Sequence, residues 1–310
     1  MSAQDALKNP ADELNPFRNV DFSQLEKSLR RPRTLFSVLM SLLVTGMTLL
    51  ALIPLFSVVW MLFWRGGREL GIASFTQLPP APLESGGGFG NAILGTVIMV
   101  ALGTLLSVPV GILTAVYLSQ AEASSRLAHT VRFAAKILTG FPSILAGVFA
   151  YGAVVLMTGG YSAVAGAVAV SILMLPTILL TAEDAIRMVP AKIKEASDGM
   201  GATPTQTMWM VLLPTALPGI LTGIMLALAR GAGETAPLLF TALFSNYWLV
   251  QGGQLNLMQP TASLAVLIYN FAGMPFPNQL ALAWAAALVL VLLVLIMNLI
   301  GQSISRRRIQ

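Results

Sequence analysis

The 310-residue sequence has no cysteine and a single histidine, His129. Disulfides and thiolate metal sites are therefore excluded, and His129, between two apolar runs, reads as a solvated residue rather than a metal ligand. No G-x-x-x-x-G-K-[ST] stretch occurs anywhere, which argues against ATP hydrolysis by this chain. Charge is also scarce: 10% of residues are charged, against about 25% in an ordinary soluble domain. A soluble protein of this length lacks enough polar surface at that composition. Short alternating segments, the mark of a transmembrane barrel, are missing too.

What is present is long apolar runs, with 56% hydrophobic residues and a mean hydropathy of +0.78. A helix needs about 20 mostly apolar residues to cross the hydrocarbon core. Six runs qualify, roughly 35–64, 91–119, 137–157, 161–182, 215–244 and 280–301. The expected fold is an all-α integral membrane protein, a six-span bundle over residues 34–301. The first run is about twice the length of a signal-peptide core and no small-residue cleavage pattern follows it, so it is expected to stay as the first span.

Orientation follows from the basic residues. With the N-terminus inside, fifteen of the 18 Lys and Arg fall on the cytoplasmic side. They lie in a polar tail (1–33) that has room for a short surface helix, in two inner loops and in a basic C-terminus (302–310). Arg65 and Arg68 are outside, and Arg230 lies within a span. The net charge of +5 is explained by orientation and by contact with anionic headgroups rather than by nucleic acid. Trp60, Trp64 and Trp248 suit interfacial anchors.

Several segments carry local signals. The outer loop contains PPAPLESGGGFG, a linker composition whose glycines follow no strand, so it is not a phosphate-cradling loop. TGFPSILAG opens the third span, where Pro142 should bend the helix and small residues allow close packing. Gly159-Gly160 implies a tight hairpin between the third and fourth spans. The outer segment 245–279 has no formal charge, and 264–272 within it is too short to span, so it lies at the interface or dips partly in. LVQGGQL, 249–255, is superficially like the LSGGQ signature of ABC ATPases but lacks its serine.

The inner loop 183–214 should form a helical elbow. Val189-Pro190 ends one helix and starts another over 191–198; Gly199 and Gly201 break it; Thr203-Pro204 caps and opens the next. Within it, Glu195-Ala196-Ser197, three residues, Gly201, nine residues and then Val211-Leu212-Leu213-Pro214 resembles the EAA loop of binding-protein-dependent ABC importer permeases. Ser for Ala and Val for Ile are the only departures. Physically, Ala196 and Ser197 are small enough for a partner's groove, Gly201 turns the chain and Glu195 offers an anionic contact. An ordinary capped loop helix is the alternative.

The stretch LARGAGETAPLLF, 228–240, places Arg230 and Glu234 four residues apart in an apolar run. On one continuous helix, 215–244, Arg230 sits near the middle and both side chains share a face. A central charge costs about 2.5–3.5 kcal/mol on insertion scales, so the pair should face the bundle or a wet pathway. Gly231 and Gly233 would clear space around it, and Pro237 could bend the span. A structural salt bridge is the alternative.

Together with SLAVLIYNFAG and LAWAAALVLVLLVLIMNLIG, this stretch looks like the A-type permease family of the bacterial phosphate-specific transporter, a likeness covering roughly residues 90–301. The resemblance implies an importer of inorganic phosphate in the bacterial inner membrane. Its expected partners are a C-type, PstC-like permease, two copies of a PstB-like ATPase that uses ATP and Mg, a PstS-like phosphate-binding protein, and membrane lipid. No cofactor is expected on this chain. Arg230 and Glu234 would then line the substrate pathway, and Glu195, Ala196, Ser197 and Gly201 would couple to the ATPase. Other readings are an ABC permease for another oxyanion, a secondary transporter using the charged pair for ion coupling, and a membrane scaffold.

Overall fold

The computed structural model describes residues 32–122 and 124–306, so most of the expected N-terminal tail and the last four residues lie outside the described residues. The chain divides into two compact units, one up to Val59 and one from Trp60 onward. In the first, helix α1 (Pro32–Gly66, entering the second unit at its end) buries no residue over Pro32–Met61. The second holds α2 (Ile72–Thr76), α3 (Gly90–Gln120), α4 (Arg126–Thr139), α5 (Ser143–Thr158), α6 (Ala163–Arg187) and α7 (Ala191–Gly199). These are followed by α8 (Pro204–Gly233), α9 (Ala236–Thr241), a two-stranded hairpin, α10 (Leu264–Ala272) and α11 (Pro277–Arg306).

Five of these helices are long and apolar enough to cross a membrane, and a sixth crossing exists only if α4 and α5 count as one broken span. The all-α membrane fold is thus present, but two expected spans are corrected. The run 137–157 is not one helix. α4 and α5 meet at 107° across Gly140-Phe141-Pro142, because proline has no N–H to continue the ladder and keeps the residue before it out of the helical region. α4, expected as a loop, is amphipathic and carries His129 exposed on its surface. The sixteen residues of α5 reach only about 24 Å. The run 215–244 is also broken, since α8 stops at Gly233 and α9 restarts at Ala236.

α3, α6 and α8 form the centre. Lipid tails are as apolar as leucine, so close packing and hydrogen bonds rather than hydrophobic transfer hold such helices together. α3 and α6 run side by side in the same direction, Gly103 beside Ala167 and Gly111 beside Ile178, and α8 returns against α6 with Gly219 beside Ala185. Met99, Val170, Met174, Ile178 and Ile220 fill the space between them. The 188–203 elbow therefore sits at one end of the bundle, and the outer loop, hairpin, α9 and α10 sit at the other.

At that far end the linker-like loop is firmly packed. Gly88 N–H donates to Leu78 O, Phe89 N–H to Ser74 O, and Asn278 Nδ2 to Glu84 O and Gly86 O. Its Pro-Gly composition serves close backbone approach rather than freedom. α10 has the bounds expected of the short apolar segment and is buried against α11, with Leu264, Leu267 and Phe271 in a second core. The LVQGGQL stretch is a hairpin, Val250 opposite Leu255, turned by Gly252 and Gly253, both at positive φ.

Candidate conduction and coupling sites

The break between α8 and α9 holds the charged pair. Glu234 leaves the helix with extended backbone (φ −70°, ψ 128°), and Pro237 suits the first turn of α9, where its missing N–H costs nothing. Arg230 is therefore in the last turn of α8, where the helix dipole favours a cation, and not in the middle of a thirty-residue span. Its depth is set by α6: neighbouring Gly231 lies against Val170 and Met174, about 10–17 Å along that helix from its N-terminus.

Arg230 Nε donates to Glu234 Oε1 at 3.3 Å, with the side chains 36% and 14% exposed. Among the described residues no protein group bonds the two terminal nitrogens of Arg230, so the outer fork of the guanidinium is open. The expectation for the two glycines is half corrected. A Cβ on Gly231 would come within 2.8 Å of Val170 Cγ1, so this glycine is committed to helix packing, whereas Gly233 has nothing within 4 Å.

The elbow forms as its sequence dictates. Pro190 caps α7, Gly201 reverses the chain at φ +82°, and Thr203 and Gln206 cap the start of α8 reciprocally, Thr203 N–H donating to Gln206 Oε1 at 2.8 Å. The first turns of α8 widen into a π-helical segment, Thr207–Leu212, just before Pro214, where the missing N–H would otherwise interrupt the ladder. Glu195, Ala196 and Gly201 are exposed. Ser197, expected as a small residue facing a partner's groove, instead turns inward. It is buried, its Oγ 2.9 Å from Thr207 Oγ1, and Thr207 in turn donates to Asp198 Oδ1 at 3.3 Å. The serine ties α7 to the base of α8.

A further charge cluster was missed from the sequence. Glu183, 4% exposed at its side chain, accepts from Arg132 Nε at 2.7 Å and Arg187 Nη2 at 3.0 Å. Arg132 Nη2 also donates to Leu118 O at 2.7 Å, in the last turn of α3, where helix carbonyls lack intrahelical partners. Three helices, α3, α4 and α6, are joined beside the elbow. The Glu183/Arg187 spacing of four at the end of an apolar run was a visible signal; Arg132, 51 residues away, was not.

A helical bundle with a capped, projecting elbow and a charged helix break has the architecture of a transporter permease. Residues 107–310 match the family of binding-protein-dependent transport system inner membrane components. The phosphate transport system permease protein PstA of Haemophilus influenzae is 41% identical over 251 residues, 80% of this chain and 87% of that one. Its counterpart in Yersinia pestis is 37% identical over 260 residues, 83% of this chain and 86% of that one. A bacterial alginate ABC transporter has the same fold (TM-score 0.61, 15% identity, 90% of this chain and 98% of that one), as does the inward-facing MetNI methionine ABC transporter (TM-score 0.56, 23% identity, 70% and 94%). The chain belongs to the binding-protein-dependent transport permease family and, within it, to the PstA branch.

Proposed function

We propose that this chain is the permease that forms one half of the translocation pathway of an ATP-driven importer of inorganic phosphate, with both termini in the cytoplasm. A C-type, PstC-like permease supplies the other half, two copies of a PstB-like ATPase dock at the elbow and hydrolyse Mg-ATP, and a PstS-like protein delivers phosphate at the far end. The PstA relatives support the substrate, and the family supports assembly with a separate ATPase and binding protein. The orientation rests on the excess of basic residues at the elbow end.

The observation that carries the site assignment is the open guanidinium of Arg230 at the helix break. Phosphate at neutral pH bears one to two negative charges, and a guanidinium fork matches two of its oxygens. Discontinuous helices that carry charge inside a bundle are where transporters build substrate sites. Arg230 is the transient ligand. Glu234 neutralises it when the path is empty, so phosphate is attracted without being trapped.

ATP-driven closure of the ATPase dimer moves the elbow through Glu195, Ala196 and Gly201. The Ser197–Thr207 contact passes that motion to α8, whose far end carries Arg230. Tilting of the helices then exposes the site to one side at a time. The test is ATP-dependent uptake of labelled phosphate in vesicles carrying this chain with its partners, comparing Arg230→Ala and Glu195→Ala. Both variants should insert, assemble and lose uptake, and only Arg230→Ala should keep ATP hydrolysis that responds to the binding protein. Uptake without any ATPase would overturn the proposal, and preference for sulfate or phosphonate over phosphate would move the substrate to another oxyanion.

A further inference from the structure

A groove of about 780 Å³ opens on the side of the bundle between α3 and α11. Val97, Ala101, Leu292 and Ile296 line its walls, and Leu70 and Phe75 of the outer loop close it at the far end. From Ile93 to Thr104 it runs about 17 Å along α3. Thr96 and Thr104 are its only hydroxyl residues, and both hydroxyls donate back to carbonyls of their own helix. Nothing in the groove suits phosphate. Its length and lining suit a hydrocarbon chain.

The segment at the far end carries two exposed arginines, Arg65 and Arg68, and one exposed carboxylate, Glu69, beside Leu70 of the groove. Gly66 packs onto the backbone of Trp284 and against Leu288, immediately before Val289 of the groove wall. This close approach sets Arg65 beside α11, with its guanidinium carbon 5.3 Å from the centre of the Trp284 ring. Arg68, two residues before Leu70, stands 4.2 Å over Trp64, which stacks on Trp60. Both arginines are exposed, and neither makes an ion pair among the described residues. They are also the two cations that the basic-residue distribution leaves at this end of the bundle, where orientation rules disfavour them.

We infer that the groove is a binding site for an anionic phospholipid of the leaflet at the far end. One acyl chain lies between α3 and α11, and the phosphodiester is held by Arg65 and Arg68 at the level of the tryptophans. Guanidinium groups recognise phosphodiester oxygens, and aromatic side chains anchor at headgroup depth, so the two halves of the site match the two halves of one molecule. The inference is independent of the phosphate pathway, because Arg230 is not part of the groove wall.

The absence of cysteine permits a single reporter. Ala101→Cys, labelled with bimane, is placed in vesicles of phosphatidylcholine that contain increasing fractions of brominated-chain phosphatidylglycerol or of brominated-chain phosphatidylcholine. Half-maximal quenching by the anionic lipid is expected at about tenfold lower mole fraction than by the zwitterionic one. Arg65→Gln with Arg68→Gln should bring the two curves together without loss of insertion, since removing outer cations only favours the native orientation. Equal quenching by both lipids in the otherwise unaltered chain would reduce the groove to bulk lipid contact and overturn the site. No quenching by either lipid would show protein covering the groove, and would overturn it equally.

Discussion

Two charge clusters sit at different levels of this bundle, and they are built in opposite ways. Glu183 is buried, receives two arginines at 2.7 and 3.0 Å, and joins three helices. Glu234 receives one arginine at 3.3 Å, from four residues away on its own segment, and among the described residues the pair links no further helix. The first cluster turns two arginines from different helices onto one buried carboxylate, and one of them also onto a helix-end carbonyl. The second leaves a guanidinium fork unspent inside an apolar protein. The lesson is that a charge held in a bundle points to architecture when its partners come from several helices, and to a ligand when its one partner lies on its own segment and the outer fork stays open.

That contrast can be broken most forcefully at Glu183. Glu183→Ala leaves Arg132 and Arg187 facing each other with their carboxylate gone, and should destabilise the protein by about 3 kcal/mol, the low end for a broken buried pair because Arg187 is half exposed. Thermal unfolding in detergent measures this, and an unchanged midpoint would deny the cluster its structural role. Arg230→Gln should do the reverse. Losing one charged hydrogen bond to substrate, worth about 1.5–3 kcal/mol, should reduce uptake about 10–100-fold while the unfolding midpoint stays put.

Smaller effects sharpen the same contrast. Ser197→Ala removes a buried hydrogen bond and should cost about 1 kcal/mol, while raising the ATP hydrolysed per phosphate transported. Tight coupling in that variant would show that the elbow transmits motion by another route. Glu234→Gln should change stability by about 0.5 kcal/mol or less, the usual worth of a partly exposed pair at this spacing. Its effect should appear in function, as tighter apparent phosphate binding with slower turnover, and uptake kinetics would reveal whether the carboxylate assists release.

Much of this could be read in the residues themselves. Apolar run length placed four continuous helices, α1, α3, α6 and α11, because the requirement to cross hydrocarbon depends on length and composition alone. The elbow was legible because its proline, glycine and threonine signals act locally, and α10 because nine apolar residues cannot span. The interruptions at Pro142 and Glu234 were harder. Hydropathy does not register a helix break when the residues around it remain apolar, so both runs looked continuous. The β-hairpin at Gly252-Gly253 has its turn signal in the glycine pair, which the likeness of LVQGGQL to an ATPase signature obscures.

Other features had no local signal. Ser197 looked like a small residue for a partner's groove, and only the folded elbow shows that Thr207 claims it. Arg132 meets Glu183 because α4 folds back across the ends of α3 and α6, a tertiary event with no fixed spacing. The linker-like loop became ordered through distant Asn278 and Gln279.

The most direct test of the division between the two clusters measures phosphate uptake and thermal stability on the same preparations of Arg230→Gln and Glu183→Gln in the assembled transporter. If Arg230→Gln loses transport at full stability and Glu183→Gln loses stability first, conduction belongs to the open pair and architecture to the closed one. Uptake by Arg230→Gln at the unsubstituted rate, or its loss only in step with unfolding, would contradict the account.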